Sequence, residues 1–136
     1  MEQLSEDKSQ IGLTPAGQAA IEQLTESRLF SEQSDAYKLG IAYAIAAGLD
    51  IDSAPGGGYQ TKFNAAGGLD KDGLVRQLIE VLEIGETGRP YATAEKLAEI
   101  GVTTIATRLA GNETLAEILS EVAFETDPPE GESEDA

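Results

Sequence analysis

The stretch YKLGIAYAIAAGL, residues 37–49, is the most apolar part of the chain and decides how the fold can be built. After Lys38 it continues without a charge from Leu39 to Leu49, which is too short for the ~20 residues needed to span a bilayer. A helix that is apolar nearly all round must be covered on several sides, either by the C-terminal helices or by a second copy of the chain.

The segment before this helix predicts a short strand and a first helix. Residues 9–14 alternate, with Ile11 and Leu13 on one side of the strand. Thr14 followed by Pro15 is typical of a helix start, and this first helix is expected to continue to about residue 27. Ser31 or Ser34 is expected to cap the apolar helix, which ends near residue 47 with a glycine after it.

A glycine-rich segment, residues 54–68, separates the two halves of the chain and is expected to be a linker. Its residues 59–63 could form a short strand or an extended arm. A third helix follows over about 72–83, with an apolar face that includes Leu74, Val75, Leu78, Ile79 and Leu82. Asp70 or Asp72 is expected to cap it.

Three short helices are predicted to close the fold. Thr93 would cap the first of them, over 94–99, and Gly101 would end it. The second covers 102–110, so 93–111 looks like a helix–turn–helix pair, for which we expect a packing role. The third begins near residue 112, where Thr114 and Glu117 match a capping box.

The predicted architecture is therefore mostly α, a small helical domain of about six short helices with at most one or two short strands. It divides into a strand–helix–helix N-terminal half (1–53), the linker (54–68), a helical C-terminal half (69–124) and an acidic tail (125–136). The tail holds six acidic residues, no basic residue and two prolines, so we expect it to be disordered.

Composition limits the possible chemistry. The 136 residues include 25 acidic and 9 basic side chains, a net charge of −16, with no His and no Cys. Catalysis by His-containing triads, zinc ligation by His and Cys, and iron–sulfur ligation are therefore excluded. The acidic surface repels phosphate backbones and disfavours nucleic-acid binding.

The remaining candidate motifs have a simple structural interpretation. Residues 70–73 resemble part of a calcium loop, but its first ligand and its bidentate Glu are missing. Residues 55–62 lack the Gly-Lys-Ser/Thr order of a phosphate-binding loop, so a flexible linker is the better interpretation. Acid/base pairs could be formed by Asp50 with Asp52 or by Glu95 with Glu99, but such pairs are expected by chance in an acidic chain. We predict no catalytic residue, no metal and no cofactor.

The order of strand, Thr-capped helix and small-residue helix in residues 8–49 resembles the ribbon–helix–helix family. It is also similar to the small E subunit of bacterial DNA phosphorothioation (Dnd) systems. This resemblance, over about a third of the chain, implies a dimer in which two strands pair. It also implies that Lys8, Gln10 and Gly12 form the strand face that reads DNA. The packing surface of the apolar helix, and hence the possible interface, would by the same resemblance be supplied by Tyr37, Leu39, Ile41, Tyr43 and Ile45.

Taken together, these features predict a non-enzymatic protein-interaction or regulatory subunit in the cytoplasm. The resemblance suggests that it is an accessory component of a DNA-processing or defence system. Its partner would be another protein or a second copy in a homodimer, without membrane association. The alternatives are a ribbon–helix–helix DNA-binding transcriptional regulator and an acidic DNA mimic that inhibits a DNA-binding protein.

Overall fold

The computed structural model describes residues 7–126, and this part is mainly helical with one small two-stranded sheet, as the sequence predicts. The elements are β1 (Gln10–Leu13), α1 (Pro15–Glu26), α2 (Gln33–Ala46), β2 (Gln60–Asn64), α3 (Leu74–Leu82), α4 (Pro90–Ala110) and α5 (Leu115–Thr126). A 3-10 turn at Ile51–Ser53 precedes β2, and a π-helical segment at Ala65–Leu69 follows it. The predicted disordered tail, 125–136, lies outside the described residues apart from its first two, which end α5.

The two strands pair with each other inside one chain. They are antiparallel, with Ile11 opposite Phe63, and the register shifts between Ile11 and Gly12. A Cβ atom on Gly12 would lie 1.6 Å from the carbonyl oxygen of Gln60, so only glycine allows the backbones to approach this closely. The sequence left residues 59–63 open between a strand and an arm, and the structure shows a strand at Gln60–Asn64.

Helix α4 continues unbroken from Pro90 to Ala110, so the predicted helix–turn–helix pair at 93–111 is wrong. Gly101 does not end a helix. It lies where α4 crosses α2, and a Cβ atom there would be 1.9 Å from the carbonyl oxygen of Gly40. Thr93 lies inside the helix rather than capping it, because Asp7 accepts hydrogen bonds from the first N–H groups of α4.

Two other helix starts follow the predicted capping rules. The Thr14 hydroxyl oxygen accepts a hydrogen bond from the Gly17 N–H at 3.2 Å, which confirms it as the N-cap of α1. The reciprocal bonds between Thr114 and Glu117, at 2.9 and 3.1 Å, confirm the capping box at α5. The prediction for α2 is wrong, because neither serine caps it and Glu32 precedes it without a side-chain capping bond.

The core is formed around α4, against which α1, α2, α3 and α5 pack. Its buried side chains come from both sides of the glycine-rich segment, for example Ile11, Ile21 and Leu24 before it and Leu97 and Ile105 after it. The N-terminal and C-terminal halves therefore share one hydrophobic core. It is α4 that covers the apolar helix α2 most extensively.

Candidate functional site

Helix α3 presents an apolar face to solvent. The exposed fractions are 61% for Leu74, 43% for Leu78, 77% for Val81 and 48% for Leu82. These residues are spaced i, i+4, i+7 and i+8, which places them on one side of the helix. Because only Ile79 of α3 is fully buried, much of the apolar surface that the sequence assigns to one broad face lies outside the core. We call these four residues the α3 face.

A buried carboxylate holds α3 in place. Asp70 is 3% exposed and accepts hydrogen bonds from the N–H groups of Val75 at 3.0 Å and Arg76 at 3.1 Å. It also accepts one from the hydroxyl of Tyr91 at the start of α4, at 2.8 Å. Burial alone would raise the pKa of Asp70, but these three hydrogen bonds lower it below its ordinary value. The same residue therefore caps α3 and ties it to α4.

The contact between Asp70 and Tyr91 also affects the pKa of the Tyr91 hydroxyl. Burial, together with the neighbouring carboxylate of Asp70, raises the pKa of Tyr91 to about 12. Asp72, the other predicted cap, is exposed and accepts a longer hydrogen bond, 3.3 Å, from the N–H of Leu74. Both aspartates therefore serve the start of α3, and Asp70 does so with better geometry. Among the described residues, no group of three or more His, Cys, Asp or Glu side chains is placed to hold a metal ion.

A cleft of about 600 Å³ lies where α3 ends and the chain turns toward α4. Its apolar lining includes Ile79, Ile84 and Pro90. Three glutamates also line it, Glu80, Glu83 and Glu86, and all three are exposed. Apolar surface and negative charge are thus found together at this end of α3.

The predicted interface residues of α2 pack inside the chain instead. Tyr37, Ile41 and Tyr43 are buried, and Leu39 and Ile45 are half-buried against the same core. The sequence left open whether the C-terminal helices or a second copy of the chain would cover α2. In the structure, α4 covers it. The three buried side chains therefore leave no surface for a partner.

The predicted DNA-facing residues of β1 do not form one outward face. Gly12 is buried, and its N–H donates to Glu95 at 2.8 Å. The ammonium group of Lys8 pairs with the other oxygen of Glu95 at 2.5 Å. Of the three, Gln10 is the one that stays exposed, and its side-chain amide donates to the side chain of Asn64 at 3.3 Å.

Glu95 and Glu99, a candidate acid/base pair in the sequence, are both 3% exposed. Glu99 accepts from the N–H of Thr14 at 3.0 Å and from its hydroxyl at 2.6 Å. Glu95 thus binds a backbone N–H group of β1, and Glu99 binds the residue that follows β1 and caps α1. Tyr37 completes this arrangement by donating its hydroxyl to the carbonyl of Gly12 at 2.9 Å, and burial, Glu95 and Glu99 raise the Tyr37 pKa.

This geometry gives the buried glutamates a structural role. Each of the four carboxylate oxygens of Glu95 and Glu99 accepts at least one hydrogen bond from Lys8, Gly12 or Thr14. The other candidate pair is exposed, and Asp50 accepts from the N–H of Asp52 at 2.9 Å to cap the 3-10 turn. Sequence reasoning identified both pairs but contained no signal that the helical pair would be buried against a strand.

Comparison with known proteins finds no matching family model, no matching curated protein and no matching solved structure. None of the helices within residues 7–126 combines the length and the apolar character needed to cross a bilayer.

Proposed function

We propose that this protein is a non-enzymatic protein-interaction module that binds a partner through the α3 face. The observation that carries this proposal is the exposure of four large apolar side chains on one side of a single anchored helix. Exposed apolar patches of this kind on a soluble domain commonly mark interaction sites. The residue pattern also matches the spacing of anchors in helix-mediated recognition.

The energy available from the α3 face is useful but limited. Complete burial of an exposed Leu or Val is worth about 1.5–3 kcal/mol, and these side chains are already about half covered, so together they offer about 4 kcal/mol. Association itself costs at least ~4 kcal/mol in lost translational and rotational freedom. The α3 face therefore supplies the apolar centre of an interface, and polar or charged contacts around it must supply the rest.

Charge favours a basic partner. The chain carries a net charge of −16, so two copies repel each other, whereas a basic surface is attracted. Glu80, Glu83 and Glu86 lie at the α3 end of the molecule. Their ion pairs, Arg76 with Glu80 at 3.4 Å and Arg89 with Glu86 at 3.3 Å, involve exposed carboxylates and are weak. We therefore assign to the α3 face a partner segment that is amphipathic and basic, with apolar residues along one side.

A synthetic amphipathic peptide of Leu and Lys in helical spacing tests this function by calorimetry. We expect the full chain to bind this peptide. A Leu/Glu peptide of the same spacing lacks the positive charge and a Lys/Ser peptide lacks the apolar side, so both should bind more weakly. The double variant Leu78→Gln, Val81→Gln should weaken binding about thirtyfold, because it removes about 2 kcal/mol of apolar contact. Leu29→Gln is the matched control, since Leu29 is 44% exposed but lies outside α3.

Several results would contradict the proposal. Equal binding by the double variant and by Leu29→Gln would remove the α3 face from the interaction. Light scattering that shows a dimer, dispersed by the double variant, would assign the α3 face to a second copy of the chain. Salt-sensitive binding to duplex DNA would favour the transcriptional-regulator alternative.

A further inference from the structure

A second cavity, of about 320 Å³, lies between the glycine run 56–58, the residues just before β1 and the first turns of α4. It lies away from the four residues of the α3 face, none of which lines it. Its lining includes the side chains of Lys8, Tyr59 and Lys96. Its size is at the lower end of the range for small-molecule sites.

Positive charge is concentrated at this cavity. The chain has only nine basic residues, and three of them line it, namely Lys8, Arg89 and Lys96. Two carboxylates also line it, but Glu95 pairs with Lys8 at 2.5 Å and Glu86 pairs with Arg89 at 3.3 Å. Among the described residues that line the cavity, these pairs leave one excess positive charge, in a chain whose net charge is −16.

Lys96 is the source of that excess charge. It is half-buried, and its ammonium group makes no ion pair or hydrogen bond with any residue between 7 and 126. A lysine on the second turn of α4 that lines a cavity and has no partner among residues 7–126 is available to an anion. Glu95, the neighbouring acid in the sequence, is already bound by Lys8 and by the N–H of Gly12.

The glycine run supplies a second kind of donor. The N–H groups of Gly56, Gly57 and Gly58 form no hydrogen bond within the described part of the chain. All three glycines are exposed, and a Cβ atom at any of them would meet nothing within 4 Å, so no neighbouring residue covers this loop at those positions. Tyr59 fixes the loop by donating its hydroxyl to the carbonyl of Pro55 at 2.9 Å. Open backbone N–H groups of glycine loops are typical donors to phosphate oxygens.

We propose that this cavity binds the phosphate group of a small molecule, with Lys96 as its charged donor and the loop 56–58 as its backbone donor. The sequence around the same glycine run does not match the phosphate-loop motif. That motif needs a glycine before its lysine and a serine or threonine after it, whereas Lys62 lies between Thr61 and Phe63. In the structure Lys62 lies over the ring of Phe63, 5.8 Å from its centre, and does not line the cavity. The charged donor comes instead from α4, more than thirty residues later.

The test is an NMR titration of the isotope-labelled full chain with sodium phosphate and, separately, with glycerol 1-phosphate. Ionic strength is kept constant with sodium chloride. We expect saturable shifts at the amides of 56–58 and of Lys96 in the millimolar range. Lys96→Ala should weaken binding about tenfold, the loss expected for one charge-assisted hydrogen bond. Lys96→Arg, which keeps the charge, should restore most of the affinity.

Lys71→Ala is the matched control, because it removes the same charge from an exposed residue that does not line the cavity. Equal weakening by Lys96→Ala and Lys71→Ala would reduce the effect to general attraction and overturn the proposal, as would the absence of saturable shifts. Equal affinity for both probes would identify the phosphate group alone as the ligand. Tighter binding of glycerol 1-phosphate would identify an organic phosphate, and either result supports the cavity.

Discussion

Replacing Asp70 by alanine should lower the free energy of unfolding by about 3 kcal/mol. The substitution removes a helix cap, which is worth about 1 kcal/mol, since Asp70 accepts from the N–H groups of Val75 and Arg76. It also leaves the buried hydroxyl of Tyr91 without its acceptor, at a cost of about 1–3 kcal/mol. These two losses add because they concern different donors of the same carboxylate.

Urea unfolding followed by circular dichroism measures this change, and Asp72→Ala is the matched control. Asp72 lies two residues away, is exposed and accepts one long hydrogen bond, so its removal should cost less than about 1 kcal/mol. A double-mutant cycle with Tyr91→Phe separates the two losses, since Asp70→Ala should cost less when the hydroxyl is already absent. If Asp70→Ala and Asp72→Ala have the same effect, Asp70 does not anchor α3.

The pH dependence gives an independent check on Asp70. Its pKa in the folded chain is lowered from the ordinary 3.8, so its stabilising contribution is fully present above that value. The contribution is then lost as the pH falls below 3.8 and through the lower folded pKa. The parent protein should therefore lose more stability on acidification in this window than Asp70→Ala does. An identical acid slope in both proteins would show that the hydrogen bonds to Asp70 do not favour its charged form.

Three further predictions test the core and the calcium interpretation. Ile41→Asp should prevent folding, because Ile41 is 2% exposed and an unpaired carboxylate there costs several kcal/mol. The control, Glu22→Ala on the exposed side of α1, should change the free energy of unfolding in urea by less than about 0.5 kcal/mol. Gly101→Ala should destabilise by at least ~1–3 kcal/mol in the same assay, because its Cβ would overlap the carbonyl of Gly40, and unchanged stability would contradict this close approach of α4 to α2. Millimolar calcium should not raise the melting temperature, since Asp70 is already bound by backbone N–H groups, and a rise abolished by Asp72→Ala would contradict this.

Sequence patterns predicted the helices that begin with local capping signals and missed features that depend on distant contacts. Thr14 and the Thr114–Glu117 box form their bonds within one helical turn, so the sequence contains the whole signal. Gly101 was misinterpreted because a glycine in a helical pattern indicates either the end of the helix or a place where another backbone packs closely against it. Only the position of Gly40, about sixty residues earlier, decides between these two possibilities.

The candidate site was predictable only in part. The apolar residues of α3 were evident from their spacing, but spacing does not tell how much of an apolar face is covered by the core. The exposure of Val81 at 77% depends on where Asp70 and Ile79 fix the helix against α4. Likewise, the glycine run 56–58 and Lys96 are brought to one cavity by the packing of the loop on α4, which no local pattern encodes.

Four carboxylates of this strongly acidic chain stabilise the fold by accepting hydrogen bonds from its backbone. Asp7, Asp70, Glu95 and Glu99 each accept hydrogen bonds from backbone N–H groups that would otherwise lack a partner at helix starts or along β1. Glu95 thereby occupies the free edge of β1 at Gly12, where another strand could otherwise pair. Since these acids bind the chain itself, they are poor candidates for catalysis. The α3 face differs from them in having no partner in the described chain, and this contrast supports the proposal that the α3 face binds another protein.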